Sequence, residues 1–232
     1  MNARSILFPQ RCILCGSRLS GEALPVRLCR DCLASLTGDF GFSCPVSRDF
    51  PCVAACRYAA VAGAVRAFKF SRRREYAPTF AWLMALAYRR RAGGLPPCDA
   101  ITWVPVSALR CLLRGYDQSC LLARELARLL NLPCVPLLRK LRHTRRQSHL
   151  DGDEARARNV RGAYASLGPP PGIARVLLVD DVVTSGATLR EAAAALDDSG
   201  ISSVALCFAC ARPGDEEADP YKQEEVFYDI ER

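Results

Sequence analysis

The apolar residues of the middle and C-terminal parts of the chain recur at helical and at extended spacings. In "YAPTFAWLMALAYRRR", apolar side chains such as Leu83 and Leu86 follow the 3.6-residue period of an amphipathic helix. The segment "DQSCLLARELARLLN" has the same period and ends at Asn131, and "TLREAAAALDDSG" stops at Gly200. All three segments are therefore predicted to be helices.

Three short apolar runs, "DAITWVPV", "ARVLLVDD" and "SSVALCFACA", predict β-strands between these helices. The run "ARVLLVDD" carries aliphatic residues on both faces, which is typical of a strand buried inside a parallel sheet. Strands that alternate with helices in this order imply right-handed crossovers. We therefore expect an α/β fold, in which helices cover both faces of a parallel sheet and "LGPPPG" is a connecting loop.

The first part of the chain has a different composition. Residues 1–56 are rich in cysteine, glycine and proline and contain no long periodic segment, which predicts a small module stabilised by something other than a core. We expect three parts: a cysteine-rich module in residues 1–56, an α/β domain in residues 57–212 and an acidic tail in residues 213–232.

The overall composition narrows the class of protein. Apolar residues make up 50% of the 232 residues, which excludes a mainly disordered chain. No apolar run approaches the ~20 residues that a membrane-spanning helix needs, and the first apolar stretch is too short for a signal peptide. We expect a cytoplasmic protein without membrane insertion.

The net charge of +8 is spread unevenly along the chain. Residues 61–98 contain eight basic side chains against a single acid, Glu75, whereas residues 215–231 contain eight acids against Lys222. This distribution predicts an anionic partner for the basic part of the chain. A phosphate ligand, a nucleic acid and the acidic tail itself all satisfy that prediction.

The first four cysteines form two CxxC pairs, Cys12 with Cys15 and Cys29 with Cys32, separated by thirteen residues. Two such turns can present four thiolates to one ion, and four thiolates are a tetrahedral ligand set for Zn²⁺. A redox role for CxxC would need a thioredoxin-like context, which this segment lacks. We predict a structural zinc site.

Three further cysteines, Cys44, Cys52 and Cys56, lie at irregular spacings in "CPVS" and "CVAAC". They are either remnants of a second metal site or buried thiols that behave as small apolar residues. We favour the buried alternative.

The segment "VLLVDDVVTSGATL" sets two aspartates at the end of an apolar strand, followed by small and hydroxyl residues. Ligands of open α/β sheets bind beyond the carboxyl ends of the strands, where Asp180 and Asp181 are expected to have separate partners because consecutive strand residues face opposite ways. The predicted phosphate-binding turn at the helix N-terminus consists of Thr184, Ser185, Gly186, Ala187 and Thr188. A carboxylate pair beside a phosphate site suits a sugar phosphate; the simpler alternative is that Thr184 or Ser185 caps the helix.

Two other segments carry candidate anion ligands. In "WVPVSALRCLLRGYDQS", Arg110, Arg114 and Gly115 could contact a pyrophosphate, or the two arginines could form an exposed helical pair. The polar segment "RKLRHTRRQSHLDGDEARARNVRGAY" is interpreted as a lid over an anionic ligand, with a solvated basic loop as the alternative. The lid residues are Arg142, Arg145, Arg146 and Gln147, and the two histidines, His143 and His149, show no metal spacing.

The aliphatic, diacidic and small-residue pattern of residues 176–189 resembles the PRPP-binding motif of type I phosphoribosyltransferases. No P-loop lysine and no GxGxxG accompany it, which argues against nucleoside triphosphates and dinucleotides. The resemblance implies binding of 5-phosphoribosyl 1-pyrophosphate (PRPP) together with Mg²⁺. It further implies that Asp180 and Asp181 hold the ribose hydroxyls and that residues 184–188 hold the 5-phosphate.

Four segments recur in the same order in the ComF family of competence-associated proteins, which the chain resembles over nearly its whole length. They are "VPVSALRCLLRGYDQSCLLARELA", "RHTRRQSHL", "ARARNVRGAY" and "LLVDDVVTSGATL". The resemblance implies a type I phosphoribosyltransferase-like sheet preceded by a zinc-ribbon-like module. Asp117 stands where the family usually has asparagine and Ser185 where threonine is common, and an acid at residue 117 argues against direct contact with a phosphate there.

The resemblance implies two functions of different classes. The first is transfer of ribose 5-phosphate to an unidentified acceptor with release of pyrophosphate, although no catalytic base is evident in the sequence. The second is a non-catalytic adaptor in DNA uptake, whose zinc module and basic surface contact single-stranded DNA or proteins of the competence machinery. Base stacking would need aromatic side chains near the basic stretches, and the candidates are Phe68, Phe70 and Tyr76.

Overall fold

The structure is a computed structural model that describes residues 10–19, 26–36, 40–44, 46, 50–142, 144 and 153–211. Several predictions fall outside them: the acidic tail, the lid residues Arg145, Arg146 and Gln147, and the two histidines, His143 and His149.

Within the part of the chain that the structure describes, seven strands form two sheets. The strands are β1 (Phe42–Ser43), β2 (Cys52–Arg57), β3 (Ala100–Trp103), β4 (Leu138–Lys140), β5 (Tyr164–Ser166), β6 (Arg175–Val183) and β7 (Ser202–Cys210). The main sheet has the order β1-β2-β7-β6-β3, in which β2, β7, β6 and β3 are parallel and β1 is antiparallel to β2. β4 and β5 form a separate antiparallel pair.

The described residues also contain seven helices. They are α1 (Arg30–Leu36), α2 (Tyr58–Phe70), α3 (Ala77–Arg91), α4 (Ala108–Arg114), α5 (Gln118–Leu130), α6 (Asp153–Val160) and α7 (Ala187–Asp197), with short 3-10 turns at Arg74–Tyr76 and Ala92–Gly94. Buried residues of α2, α3 and α5 share one apolar cluster with the main sheet, and those of α7 belong to a second cluster on its other face. The predicted mostly parallel α/β fold is confirmed.

The side chains of the central strand β6 are buried on both faces of the main sheet. Leu177 and Val179 belong to the first apolar cluster, whereas Val176 and Leu178 belong to the second, and all four are fully buried. Alternation of direction along a strand forces this division, so both faces of β6 must be aliphatic. The pattern "RVLLV" therefore requires helices above and below the sheet.

The three predicted helices are present as α3, α5 and α7. The side chain of Asp117 caps the N-terminus of α5, and Asn131, with a φ of 54°, ends the helix in the left-handed conformation. α2 was not predicted, because its alanines and Gly63 dilute the apolar period of Val61, Val65 and Phe68. The pair β4–β5 was not predicted either, because three-residue strands are too short to show a period.

A stack of aromatic rings joins α2 and α3 to the sheet. The ring of Phe80 on α3 stacks on that of Phe208 on β7, with 3.8 Å between centroids, and meets the edge of Phe68 on α2 at 5.2 Å. All three rings are at most 1% exposed. Their packing fixes the C-terminal end of α2 at the edge of the sheet where the parallel strands end.

The cysteine module packs directly on the main domain. Cys12, Ile13 and Val26 belong to the same apolar cluster as α3, and the backbone N–H of Arg27 donates to Thr79 Oγ1 at 3.0 Å. β2 extends to Arg57, next to the expected boundary after residue 56, and pairs with β7. The division into residues 1–56 and 57–212 stays a prediction.

Helix length and polarity bear on the membrane question. Among the described helices, none combines the length and the apolar character that crossing a bilayer requires.

Candidate ligand site at the carboxyl edge of the sheet

Three connections meet where the parallel strands end. β2 leads directly into α2, β3 leads through residues 104–107 into α4, and β6 leads through residues 184–186 into α7. The carboxyl ends of parallel strands lie at one edge of a sheet, which is the usual ligand position in open α/β folds. The segments that carry Asp180, Asp181, residues 184–188 and the two arginines of α4 therefore meet at one edge, and we call it the site edge.

Asp180 is held by donors on two sides. Ser119 Oγ of α5 donates to Asp180 Oδ1 at 2.9 Å, and the backbone N–H of Asp181 donates to the same oxygen at 2.9 Å. Burial, together with the neighbouring charge of Asp181, raises the pKa of the Asp180 carboxyl to about 7. Asp180 is therefore about half protonated near neutral pH and can gain its full charge when a cation or a hydroxyl donor binds.

Asp181 has a different partner. Lys69 Nζ, on the last turn of α2, lies 3.1 Å from Asp181 Oδ1, and both side chains are mostly buried. The expectation of separate partners for the two carboxylates is confirmed. Lys69 was missed in the sequence, because a single lysine in "AFKFS" shows no motif of its own.

Both aspartates lie within β6 and not just after it, since the strand runs on to Val183. The cause is the length of β7, which keeps pairing with β6 beyond the aliphatic run and sets Asp180 opposite Cys207 and Val183 opposite Cys210. The pairing holds the backbone that carries the two carboxylates rigid.

The turn after β6 is shaped by Gly186. Gly186 is the N-cap of α7, has a φ of 72° and makes no side-chain cap, so neither Thr184 nor Ser185 occupies the capping position. A Cβ on Gly186 would lie 2.5 Å from Val46 Cγ1. Arg190 Nη1 donates to the backbone oxygens of Val46 and Ser185 at 2.7 and 2.8 Å, which ties the turn to Val46.

Small residues surround the first turn of α7, where the helix dipole contributes partial positive charge. The backbone N–H of Ala187 lies 3.4 Å from Ser185 Oγ, a long contact, and Ala187 itself is buried. Thr184 and Thr188 flank the same turn. The predicted phosphate-binding residues 184–188 therefore lie at the site edge next to Asp180 and Asp181.

Helix α4 carries the two predicted arginines. Arg110 Nη2 donates to the backbone oxygen of Thr144 at 2.6 Å, and Arg114 Nη1 donates to Gln118 Oε1 at 3.0 Å while its guanidinium lies over the ring of Phe70. Both arginines are half-buried, so they are not a simple exposed pair. Gly115 ends the helix with a φ of 78°.

Arg74 reaches the end of the same helix. Its guanidinium donates to the Gly115 backbone oxygen and lies over the ring of Tyr116, whose hydroxyl donates in turn to the backbone oxygen of Phe68. These contacts join the 3-10 turn, the end of α2 and the end of α4. They concentrate Arg74, Arg114 and Lys69 on one side of the site edge.

Asp117 acts within the loop that follows α4. Its two carboxylate oxygens accept from the backbone N–H groups of Val106 and Cys120, each at 3.0 Å. Burial raises the pKa of this carboxyl despite those hydrogen bonds. The acid at residue 117 thus joins the start of the β3–α4 loop to the start of α5, and both of its oxygens serve backbone donors.

The next residue, Gln118, is fully buried. Its amide oxygen accepts from Arg114, whereas its Nε2 has no hydrogen-bond partner among the residues that the structure describes. A buried donor without a partner costs about 1–3 kcal/mol. An anionic or hydroxyl-bearing ligand at the site edge would provide the acceptor.

The pair β4–β5 contributes two residues that the sequence analysis missed, Lys140 and Tyr164. Lys140 Nζ lies 3.1 Å from Tyr164 Oη and 5.0 Å from the centre of its ring. Burial first, and then the positive charge of Arg110, lower the pKa of Lys140 to about 8, while the negative charge of Asp180 opposes them. The charges of Arg110 and Asp180 are therefore close enough to Lys140 to influence its pKa, which brings the β4–β5 pair near the site.

One lid residue, Arg142, lies within the described part of the chain. Its Nη2 donates to the backbone oxygen of Arg161, just beyond α6, at 2.5 Å. The segment interpreted as a lid thus begins in β4 and ends in α6 and β5, which are regular elements. The lid function itself stays a prediction.

The four cysteines of the two CxxC pairs converge. The sulfur atoms of Cys12, Cys15, Cys29 and Cys32 all lie within 4.8 Å of one another, and those of Cys15 and Cys29 are 3.7 Å apart. A tetrahedral site with metal–sulfur bonds of about 2.3 Å needs sulfur atoms ~3.8 Å apart. The cluster is therefore close enough to bind one metal ion.

Hydrogen bonds from nearby residues reach two of these sulfur atoms. Cys15 Sγ lies 3.0 Å from Ser17 Oγ, and hydrogen bonds to Ser17 lower the pKa of Cys15 to about 6. The backbone N–H of Cys32 points to Cys29 Sγ at 3.4 Å. Donors that stabilise thiolates favour metal binding over the neutral thiol form.

The remaining N-terminal cysteines belong to the core. Cys44, Cys52 and Cys56 are each at most 5% exposed, and burial raises the pKa of Cys56 to about 12. Among the described residues, no second group of three or more metal-binding side chains has converging ligand atoms. The interpretation of these three as buried thiols is confirmed.

Comparison with known proteins bears on the same region. A family model described as the phosphoribosyl transferase domain matches residues 113–231, just over half of the chain. The matched part contains the end of α4, both site aspartates and the turn of residues 184–188.

Curated relatives match over 146–151 residues. The DNA utilization protein YhgH of Salmonella typhi is 36% identical, over 63% of this chain and 65% of that protein. Competence protein F of Haemophilus influenzae is 34% identical over 60% and 63% of the two chains, and YhgH of Escherichia coli K12 is 34% identical over 63% and 65%. The alignments thus span somewhat less than two thirds of these relatives, and the resemblance to the ComF family is confirmed.

Proposed function

This chain belongs to the phosphoribosyl transferase domain family, and on that premise we propose that it binds PRPP at the site edge. The observation that carries the proposal is the juxtaposition of Asp180 and Asp181 with the turn of residues 184–188. A carboxylate pair accepts hydrogen bonds from the two hydroxyls of a ribose, and a helix N-terminus with a glycine turn binds its 5-phosphate. This arrangement suits a ribose 5-phosphate better than a nucleoside triphosphate.

The pyrophosphate of PRPP would lie towards α4. Arg110, Arg114 and Gly115 are the residues proposed to meet it, and Lys140 supplies a further positive charge from the β4–β5 pair. The unpartnered Nε2 of Gln118, beside Arg114, adds a donor. The arginines and the lysine are partly withdrawn from solvent. Their attraction to a bound polyanion is therefore stronger than it would be in water.

The donor set also suits Mg²⁺. Carboxylate oxygens are the preferred protein ligands of Mg²⁺, which retains several waters and takes the rest of its ligands from substrate phosphates. Asp180 and Asp181 would hold the ion, directly or through water, and Lys69 would have to share Asp181 with it. When bound, Mg²⁺ supplies charge neutralisation for the pyrophosphate.

We further propose transfer of ribose 5-phosphate to an acceptor, with release of pyrophosphate. The bond from the anomeric carbon to the pyrophosphate oxygen breaks as the bond to the acceptor forms. Arg110 and Arg114 would stabilise the negative charge that accumulates on the leaving group, and the carboxylates would orient the ribose. The acceptor is not identified by these residues.

Calorimetric titration of PRPP with Mg²⁺ tests the binding step. We expect saturable binding to the wild type and a loss of at least about 100-fold in affinity in the Asp180→Asn, Asp181→Asn double variant, equivalent to about 2.7 kcal/mol. The matched control is Asp197→Asn, Asp198→Asn, an identical exposed dipeptide at the other end of α7. Equal affinity in the two double variants, or no binding to folded wild type, contradicts the proposal.

We propose structural zinc in the cluster of Cys12, Cys15, Cys29 and Cys32. Elemental analysis should find one zinc per chain, and Cys29→Ser should lower both the zinc content and the melting temperature, because metal binding and folding of such modules are coupled. Cys111→Ser, a half-buried cysteine on α4, serves as control. A full zinc content in Cys29→Ser would refute the assignment.

A second candidate function is nucleic-acid binding in DNA uptake, which the names of the relatives suggest. It is favoured by exposed arginines at residues 72–74 and 89–91. Base stacking is not favoured, because Phe68 is fully buried, Phe70 lies under Arg114 and Tyr76 packs against Phe80. Oligonucleotide binding should therefore be sequence-independent and steeply salt-dependent, and no binding at low salt would exclude this function.

A further inference from the structure

Helix α4 (Ala108–Arg114) contains no buried residue, although three of its seven residues are leucines. Leu109, Leu112 and Leu113 are 44%, 77% and 56% exposed. Residues at positions i, i+3 and i+4 share one face of a helix, and we call this face the leucine ridge. Adjacent exposed apolar side chains on a small element commonly mark an interaction surface.

The surroundings of the ridge are positively charged. Arg110 and Arg114 alternate with the leucines along α4, and Arg74 contacts Gly115 at its end. Lys140 on the β4–β5 pair adds a positive charge close enough to Arg110 to influence it. A segment that binds here should therefore present apolar side chains flanked by acids and should lack basic residues.

One segment of this chain has that composition. Residues 224–231, "EEVFYDIE", contain four acids, four large apolar or aromatic residues and no lysine or arginine. The acids provide charge complementarity to the arginines, and the aromatic and aliphatic side chains provide apolar surface for the leucines.

The chain also reaches the ridge easily. The described part ends at Ala211, whose N–H donates to the Val183 oxygen at 2.9 Å, so the tail starts at the site edge. β7 and β3 flank β6 in the sheet, which places their ends about 10 Å apart. The 12 residues between Ala211 and Glu224 allow these two residues to lie up to ~45 Å apart.

We propose that residues 224–231 dock on the leucine ridge of the same molecule. Docking covers Leu109, Leu112 and Leu113 and sets acids beside Arg110 and Arg114. The same two arginines are the proposed pyrophosphate ligands, so the docked segment competes with that anion; this consequence, unlike the docking itself, rests on the proposed function.

Photo-crosslinking in the full-length chain tests the docking independently of any ligand. A p-benzoylphenylalanine replaces Leu112 in one protein and Leu167 in the control. Leu167 is 55% exposed and follows β5, on the side away from Lys140. We expect peptides containing residues 224–231 to be crosslinked from residue 112 at least about tenfold more than from residue 167, the ratio that burial of one large apolar side chain produces.

Variants of the tail separate specific docking from chance contact. Phe227→Ser and the double variant Glu224→Lys, Glu225→Lys should each lower the crosslink from residue 112 severalfold. The matched double variant Glu216→Lys, Glu217→Lys changes the same charge outside the segment and should leave the yield unchanged.

Mixing isotopically light and heavy protein distinguishes the occupants of the ridge. Crosslinks within one isotopic form support the proposal, whereas hybrid crosslinks between forms would overturn it in favour of a second copy. Equal yields from residues 112 and 167, or yields that tail substitutions leave unchanged, would also overturn it.

Discussion

The two ends of α7 carry the same local sequence features in opposite environments. Asp180 and Asp181 lie in β6, which leads through Gly186 into the N-terminal end of the helix, and Asp197 and Asp198 lie at its C-terminal end, followed by Gly200. The first pair contacts Ser119 and Lys69, whereas the second pair is exposed. Gly186 would clash with Val46 if it had a Cβ, whereas a Cβ on Gly200 would meet nothing within 4 Å.

This difference shows that the sequence Asp-Asp does not by itself determine the burial or the partners of its carboxylates. At the C-terminal end of α7 the carboxylates remain solvated, and the glycine only ends the helix. At the N-terminal end, burial raises the pKa of Asp180, Lys69 pairs with Asp181, and the glycine lets Val46 approach the turn. Each of the following changes tests that contrast.

Removal of the lysine partner should have the largest effect. Lys69→Met leaves Asp181 mostly buried without its counter-charge, and we expect a loss of roughly 2–3 kcal/mol in the free energy of unfolding, measured with urea. Arg128→Met breaks the exposed pair with Glu125 and should cost at most about 0.5 kcal/mol. Adding Asp181→Asn to Lys69→Met should restore most of the loss, and failure to do so would contradict a charge-based cause.

The charge of Asp180 should make stability depend on pH. Its pKa in the folded protein is raised to about 7, so the folded state binds more protons than the unfolded chain, and wild-type stability falls as pH rises from about 4 to 7. Asp180→Asn removes this dependence and should be more stable than wild type at pH 8 by about 2 kcal/mol, because the ~4 kcal/mol of a pKa raised by about three units is partly offset by the weaker hydrogen bonds of a neutral amide. Asp198→Asn, at the exposed end, should keep the wild-type profile in urea titrations between pH 4 and 8.

The two glycines offer a matched pair of alanine substitutions. Both have positive φ, 72° at Gly186 and 77° at Gly200, so both variants carry a strain of about 1 kcal/mol. Gly186→Ala also places a Cβ 2.5 Å from Val46 Cγ1 and should cost about 1 kcal/mol more. Thermal unfolding of the two variants measures the difference, and equal melting temperatures would show that Val46 moves away freely.

The smallest expected effect is a bell-shaped pH dependence of PRPP affinity. Asp180 becomes a carboxylate as pH rises through about 7, and Lys140 loses its positive charge as pH rises through about 8. Affinity should therefore be highest near pH 7.5 and weaker by about fivefold at pH 6 and at pH 9. Calorimetry of Lys140→Met should show no decrease on the alkaline side; a decrease that persists would assign that limb to another group.

Sequence reasoning succeeded where a short stretch carries its own signal. The aliphatic run of β6, the end of α5 at Asn131 and the two CxxC turns are local features, and each lies where it was expected. Lys69, Ser119 and Lys140 were missed, because each is a common residue on a separate element and gains meaning only through a distant partner.

The sequence by itself determined the alternation of strands and helices, the burial of β6 on both faces and the two CxxC turns of the cysteine module. Those properties follow from periodicity and from contacts within a few residues. Only the tertiary structure decided that α2 supplies a lysine to Asp181, that Asp117 serves backbone donors and that α4 leaves its leucines exposed. Burial and charge pairing depend on residues that are mostly tens of positions apart in the sequence. A pattern within a short stretch cannot predict such contacts.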